Sequence, residues 1–158
     1  MIDIKPFKSL QFPVFGLCGD KSAELYRNET NLTTTIGKAN SQGDPITGLI
    51  GMRILDNTGN VFEIFDARKG RDLGPLYSGI NIGQLIFRTR RIEANLSLAF
   101  VGMFSLEEAR RFIGEGFSSL RRSASSAGID FDIFQSSLSC SNSVAEMLKA
   151  VGEISVMG

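Results

Sequence analysis

The 158-residue chain contains no histidine and no tryptophan, and only 2 cysteines, 4 prolines and 2 tyrosines. Without imidazole, no Ser-His-Asp or Cys-His arrangement can exist within the chain. Zinc, haem and non-haem iron sites that depend on histidine are excluded for the same reason. Cys18 and Cys140 share neither metal-binding nor redox spacing, and two cysteines do not make a secreted disulfide framework. The longest apolar stretch, Ile46 to Leu55, is interrupted by Arg53 and is too short to span a bilayer. Met1 to Pro6 lacks the apolar block of a secretory leader, so the expectation is a cytoplasmic, reduced setting with no membrane partner. The Asn-x-Ser/Thr matches at Asn28, Asn31 and Asn95 carry no meaning without a secretory route.

What is present fits one ordinary globular domain: 42% hydrophobic residues and 22% charged ones, in a chain long enough to bury a core without staples. The 12 phenylalanines make the aromatic surface almost purely apolar, which suits packing better than wet recognition. Net charge is zero but unevenly spread. Residues 67–125 carry 10 basic and 5 acidic groups, whereas residues 1–66 carry 6 and 8, and residues 126–158 carry 1 and 4. The basic middle is rich in arginine, whose planar fork suits carboxylate or phosphate. Such a run is ordinarily a solvated face. The near-neutral balance, with a pI of about 6.3, disfavours nucleic-acid binding, which usually brings a basic domain with stacking aromatics.

The first two thirds alternate as strands do. Leu10, Phe12 and Val14 share one face, with Pro13 marking an edge. Leu32, Thr34 and Ile36 form a half-buried strand face rich in β-branched residues. Ile50 to Leu55 and Val61 to Phe65 flank Asp56-Asn57-Thr58-Gly59-Asn60, a five-residue hairpin loop with glycine where a left-handed residue is needed. Residues 66–83 hold four glycines and a proline and read as a long irregular connection, the kind of loop that often carries function. Across Gln84 to Val101, Ile86, Ile92, Ala94, Leu96, Leu98 and Phe100 share a face that would also contain Arg88 and Arg90. Burying two unpaired guanidinium groups is too costly. A register change near Thr89–Glu93 is therefore expected, with pairing to acids or an anion as the alternative.

The period then changes. Ser105-Leu106-Glu107-Glu108 is a capping box, followed by a helical stripe from Leu106 to Ala127 that contains Gly114 and Gly116 and ends at Gly128. Ile129, Phe131 and Ile133 alternate with Asp130 and Asp132, predicting a strand. Ser143-Val144-Ala145-Glu146 opens a second helix, and Ile154-Ser155-Val156 reads as a final edge strand. The predicted fold is α+β. A mainly antiparallel sheet of about six to eight strands is packed on one face by two helices of the C-terminal third. Residues 1–158 form a single domain, β-rich over 1–104 and helix-strand-helix-strand over 105–158.

Phosphate-loop patterns fail. In Gly16-Leu17-Cys18-Gly19-Asp20-Lys21-Ser22, Asp20 intrudes before the lysine, and Gly37-Lys38 is followed by Ala39. Gly114 and Gly116 lie inside a helix, not at a strand-to-helix turn. Asp130 and Asp132, on one face of the predicted strand, are weak candidates for a divalent cation and more ordinarily a wet edge. The main binding candidates, for a partner protein or an anion, are Arg68, Lys69 and Arg71 in the predicted connection, extended by Arg88, Arg90 and Arg91. Arg110, Arg111, Arg121 and Arg122 belong to the polar face of a helix beside Glu107, Glu108 and Glu115.

No catalytic residue and no cofactor is assigned. The build is similar to that of bacterial immunity proteins, a likeness of composition and architecture carried by no motif. The functional expectation is a non-catalytic protein-binding module, such as an immunity-type inhibitor of a cognate toxin or enzyme. The alternative is a site for a small anionic ligand or cofactor, with enzymatic use open, at the arginine-bearing 66–83 segment. A homodimer formed through the Ile154–Met157 edge is the third expectation.

Overall fold

A computed structural model describes residues 2–5, 9–38, 46–75 and 89–155. The fold is α+β, with one mostly antiparallel seven-stranded sheet and helices gathered in the C-terminal part. Strands β1 (Ile2–Lys5), β2 (Val14–Leu17), β3 (Ala23–Tyr26), β4 (Thr34–Lys38), β5 (Arg53–Asp56), β6 (Asn60–Pro75) and β7 (Thr89–Met103) are ordered β1-β7-β6-β5-β2-β3. β4 pairs with the first part of β7, and β1 runs parallel to its second part. The helices are α1 (Glu29–Thr33), α2 (Leu106–Glu115), α3 (Phe117–Ala127), α4 (Phe131–Cys140) and α5 (Val144–Ser155).

The predicted hairpin forms between β5 and β6, and its loop is fixed by Asp56. This fully buried carboxylate accepts the N–H groups of Thr58 and Asn60, the Thr58 hydroxyl and the Asn60 amide. Gly59 takes φ +93, which any Cβ would resist. The first strand of this hairpin starts at Arg53 rather than Ile50, because Thr47–Leu49 makes a 3₁₀ turn that leaves Ile50 exposed. Pro13 precedes β2 rather than lying in it: without an N–H it cannot join the ladder, so the strand begins at Val14 although the apolar alternation starts at Leu10. Leu32 is helical, since Asn28 caps α1 by accepting the Asn31 N–H, and β4 starts only at Thr34.

Both faces of the sheet are buried where β2 and β5 lie. Phe15, Leu17, Leu55 and Val61 point toward the helices and pack with Phe112, Ile113, Leu120, Met147, Leu148 and Val151. Val14, Tyr26, Met52, Ile54, Phe62, Ile64, Leu96 and Leu98 form a second core on the opposite face. Burial raises the Tyr26 phenol far above its usual range, and its O–H lies 3.7 Å from the Met52 sulfur.

The C-terminal third holds four helices where two helices and two strands were expected. The predicted long helix is divided at Gly116, whose backbone presses onto the sheet: a Cβ there would lie 2.6 Å from that of Ala23 and 3.2 Å from the Phe15 ring. The Ser105–Glu108 capping box forms as read, and Gly128 closes α3 in the left-handed conformation. Ile129–Ile133 is not a strand. Asp130 caps α4 by accepting the Asp132 N–H, and Phe131, Phe134 and Leu138 supply a helical stripe that meets Phe117. The short alternation yields because the helix turns half-buried Phe131 and buried Phe134, which a strand would have split between faces, to one side, leaving Ile133 exposed. Ile154 and Ser155 continue α5 instead of forming an edge strand, which removes the basis for strand pairing across a two-fold axis. Residues 156–157 of that predicted edge lie outside the described residues.

Candidate functional site

The arginine-bearing segment is a strand up to Pro75, not an irregular connection, because β6 pairs with β7 along its whole length. The register does shift here, but through extra residues on β6, between Lys69 and Asp72 and between Asp72 and Gly74, while β7 runs continuously from Thr89. Three of the four candidate cations whose side chains are described close on nearby oxygens. Arg68 meets Asp66 at 2.8 Å and Arg71 meets Glu93 at 2.7 Å. That pairing, led by the hydrogen bond from Arg71, holds the Glu93 carboxyl below its usual range. Arg91 reaches the Leu73 carbonyl oxygen at 3.4 Å. Lys69 is exposed on β6. Arg90 pairs with Pro75 in the ladder, its side chain and all of Arg88 lying outside the described residues.

The remaining candidates serve the fold. Asp130 is spent as a helix cap, Asp132 sits in the first turn of α4, and among the described residues no cluster of three or more potential metal ligands exists. Arg110 donates to the carbonyl oxygens of Leu138 and Ser141, tying α2 to the end of α4. Glu115 accepts from Lys21 at 2.6 Å and from Arg53 at 3.3 Å, while Arg53 lies 4.9 Å above the Phe112 ring. The Lys21 hydrogen bond chiefly lowers the Glu115 carboxyl below its usual range. Cys18 and Cys140 are both free thiols.

A different pair of cations lacks such partners. Arg27 follows β3, and Lys149 lies on α5; both are exposed, and among the described residues neither is in an ion pair. They border a cleft of about 410 Å³ between the β3 edge and α5. On the helix side Ala145, Leu148, Lys149, Gly152 and Glu153 form a stripe at helical spacing. On the sheet side stand Pro13, Leu25 and Arg27. Buried Leu148 and half-buried Pro13 and Leu25 give the cleft an apolar floor. Gly152 permits the close approach that shapes it, since a Cβ there would lie 3.3 Å from Leu25 Cδ2.

The cleft also opens onto unused backbone. β3 is the last strand of the sheet. The Cys18 N–H donates to the Ser22 carbonyl oxygen at 2.9 Å at the base of the β2–β3 pair, which sets the alternation: Glu24 and Tyr26 bond inward to β2, whereas Ala23 and Leu25 turn their N–H and C=O groups outward. Ser119 of α3 takes both outward groups of Ala23, accepting its N–H at 3.2 Å and donating to its carbonyl oxygen at 3.3 Å. Beyond Ser119, among the described residues, nothing bonds to those of Leu25.

Sequence reading did not single out Arg27, Lys149 or Leu25. Arg27 and Lys149 are 122 positions apart in the numbering, and the only local signal was that Lys149 is the one cation in the acidic C-terminal stretch. No family model, curated protein or solved structure matches this chain, and no helix among the described residues is long and apolar enough to cross a membrane.

Proposed function

We propose that this chain is a non-catalytic module that binds another protein, and that the contact runs along the open β3 edge beside α5. The observation that carries this reading is the coincidence, in one cleft, of an apolar floor, two unpaired cations and outward-facing strand backbone. Small-molecule sites enclose most of their ligand, whereas this cleft lies open along a sheet edge, a geometry suited to another chain. The ion pairs of Arg68 and Arg71 weigh against the alternative of an anion site on the ribbon, because an incoming anion would have to displace carboxylates already in place. An immunity-type inhibitor of a toxin made in the same cytoplasm fits this reading, with the toxin as partner.

The test is co-expression with the protein encoded by the adjacent open reading frame, followed by size-exclusion chromatography. A stoichiometric complex is expected, and the double variant Arg27→Glu, Lys149→Glu should abolish it while leaving the folded monomer intact. A complex that survives both charge reversals would remove the β3–α5 face as the contact.

A further inference from the structure

We infer that the cleft takes an extended, acidic segment of its partner, which adds to β3 as a further strand and sets carboxylates against Arg27 and Lys149. This rests on the module reading above and specifies its chemistry. The backbone argument comes first. Leu25 presents its N–H and C=O groups outward in the alternating pattern of an antiparallel edge, the template for strand addition. Ser119 closes the edge at Ala23, so an added strand can pair only from Leu25 onward, a short and defined register.

Charge then selects the occupant. Arg27 and Lys149 flank the cleft without carboxylate partners, whereas Lys21 and Arg53, at the other end of these strands, are committed to Glu115. Glu153 also lines the cleft, four residues beyond Lys149 on the same helix face, but forms no ion pair with it. An incoming carboxylate is therefore favoured at the Arg27–Lys149 end and repelled next to Glu153, which fixes direction as well as composition. The floor of Leu25, Leu148 and Pro13 takes the apolar residues, since alternate side chains of an added strand face the same side. A short edge flanked by a cation is also an ordinary defence against aggregation. The apolar cleft distinguishes this edge, because a purely defensive one gains nothing from a greasy groove beside it.

The probes are short synthetic peptides titrated into the full chain: alternating Val and Glu, alternating Val and Lys, and the Val–Glu peptide N-methylated at alternate residues. Backbone amide resonances and hydrogen exchange provide the readout. The Val–Glu peptide is expected to shift Leu25, Arg27 and Lys149 and to slow exchange of the Leu25 N–H. Arg27→Ala with Lys149→Ala should weaken it by about tenfold, as should a rise in salt that screens exposed charge. The Val–Lys and N-methylated peptides should not bind. Equal binding of Val–Glu and Val–Lys, undiminished binding of the N-methylated peptide, or no protection at Leu25 would each overturn strand addition. Binding of a free fatty acid at the same residues, with no peptide binding, would replace it with a small-amphiphile site. If the neighbour-encoded partner still forms a complex lost on reversing Arg27 and Lys149, while Leu25 stays unprotected in it, the module reading survives and only strand addition fails.

Discussion

The two ends of the sheet solve the same problem differently. Around β2 and β5 both faces are covered, so Val14, Phe15, Leu17, Ile54 and Leu55 are all buried although they alternate in direction. Along the β6–β7 ribbon only one face is. Phe62, Ile64 and Leu98 are fully buried, but Phe65 is 48% and Val101 59% exposed. Charge does not divide the two regions in the same way. On the ribbon Arg68 and Arg71 are held by carboxylates, and at the covered end Glu115 holds Lys21 and Arg53. Beside that same end Arg27 and Lys149 form no ion pair among the described residues, so these two remain available to a partner.

The largest expected break in this comparison comes from paired truncations. Phe15→Ala should cost about 3–5 kcal/mol, by lost transfer energy plus a cavity between sheet and helices, while Phe65→Ala should stay within about 0.5 kcal/mol of wild type. Urea denaturation of both variants measures this, and equal losses would mean that the ribbon is as tightly built as the covered end. A smaller effect should follow from adding a single methyl group. Gly116→Ala is expected to lose about 1–3 kcal/mol by overpacking, because the atoms it meets first are the Cβ of Ala23 and the Phe15 ring, neither of which can swing aside. Gly114→Ala, with its nearest neighbour at 3.9 Å, serves as the control and should be neutral or stabilising.

The smallest effect concerns acid. The Glu115 carboxyl is lowered in the folded chain, first by its hydrogen bond to Lys21. Its contribution is therefore complete above the ordinary glutamate pKa and is lost as pH falls through the lower, folded value. Being partly exposed, the pair is worth only about 0.5–1 kcal/mol. Glu115→Gln should lower stability by that amount near neutrality, and the difference from wild type should vanish on acidification. A difference that persists unchanged at low pH would show that the side chain acts through packing rather than charge.

Local chemistry was legible where it is self-contained. The hairpin at Asp56–Asn60 and the capping box at Ser105–Glu108 depend on hydrogen bonds between residues at most four apart, so the sequence carries them whole. The second capping signal was half legible: Ser143 accepts the Glu146 N–H, but the Glu146 carboxylate accepts from Asn142 instead. Alternation over 129–133 misled because five residues cannot distinguish a strand from the first turn of a helix, and Phe134 and Leu138 decide the matter from outside that window. The arginines of the middle stretch drew attention as a run, yet Arg71 finds Glu93 only because β6 and β7 lie side by side.

The residues themselves determined the α+β class, the absence of imidazole chemistry and the positions of the strongest turns and caps, since these rest on composition and on contacts close along the chain. Which cations are left over was settled only by folding. Arg27 and Lys149 become neighbours of one cleft because Gly152 lets α5 settle against Leu25 at the end of the sheet. Pairing between distant side chains is a property of packed surfaces, and no window of sequence contains it.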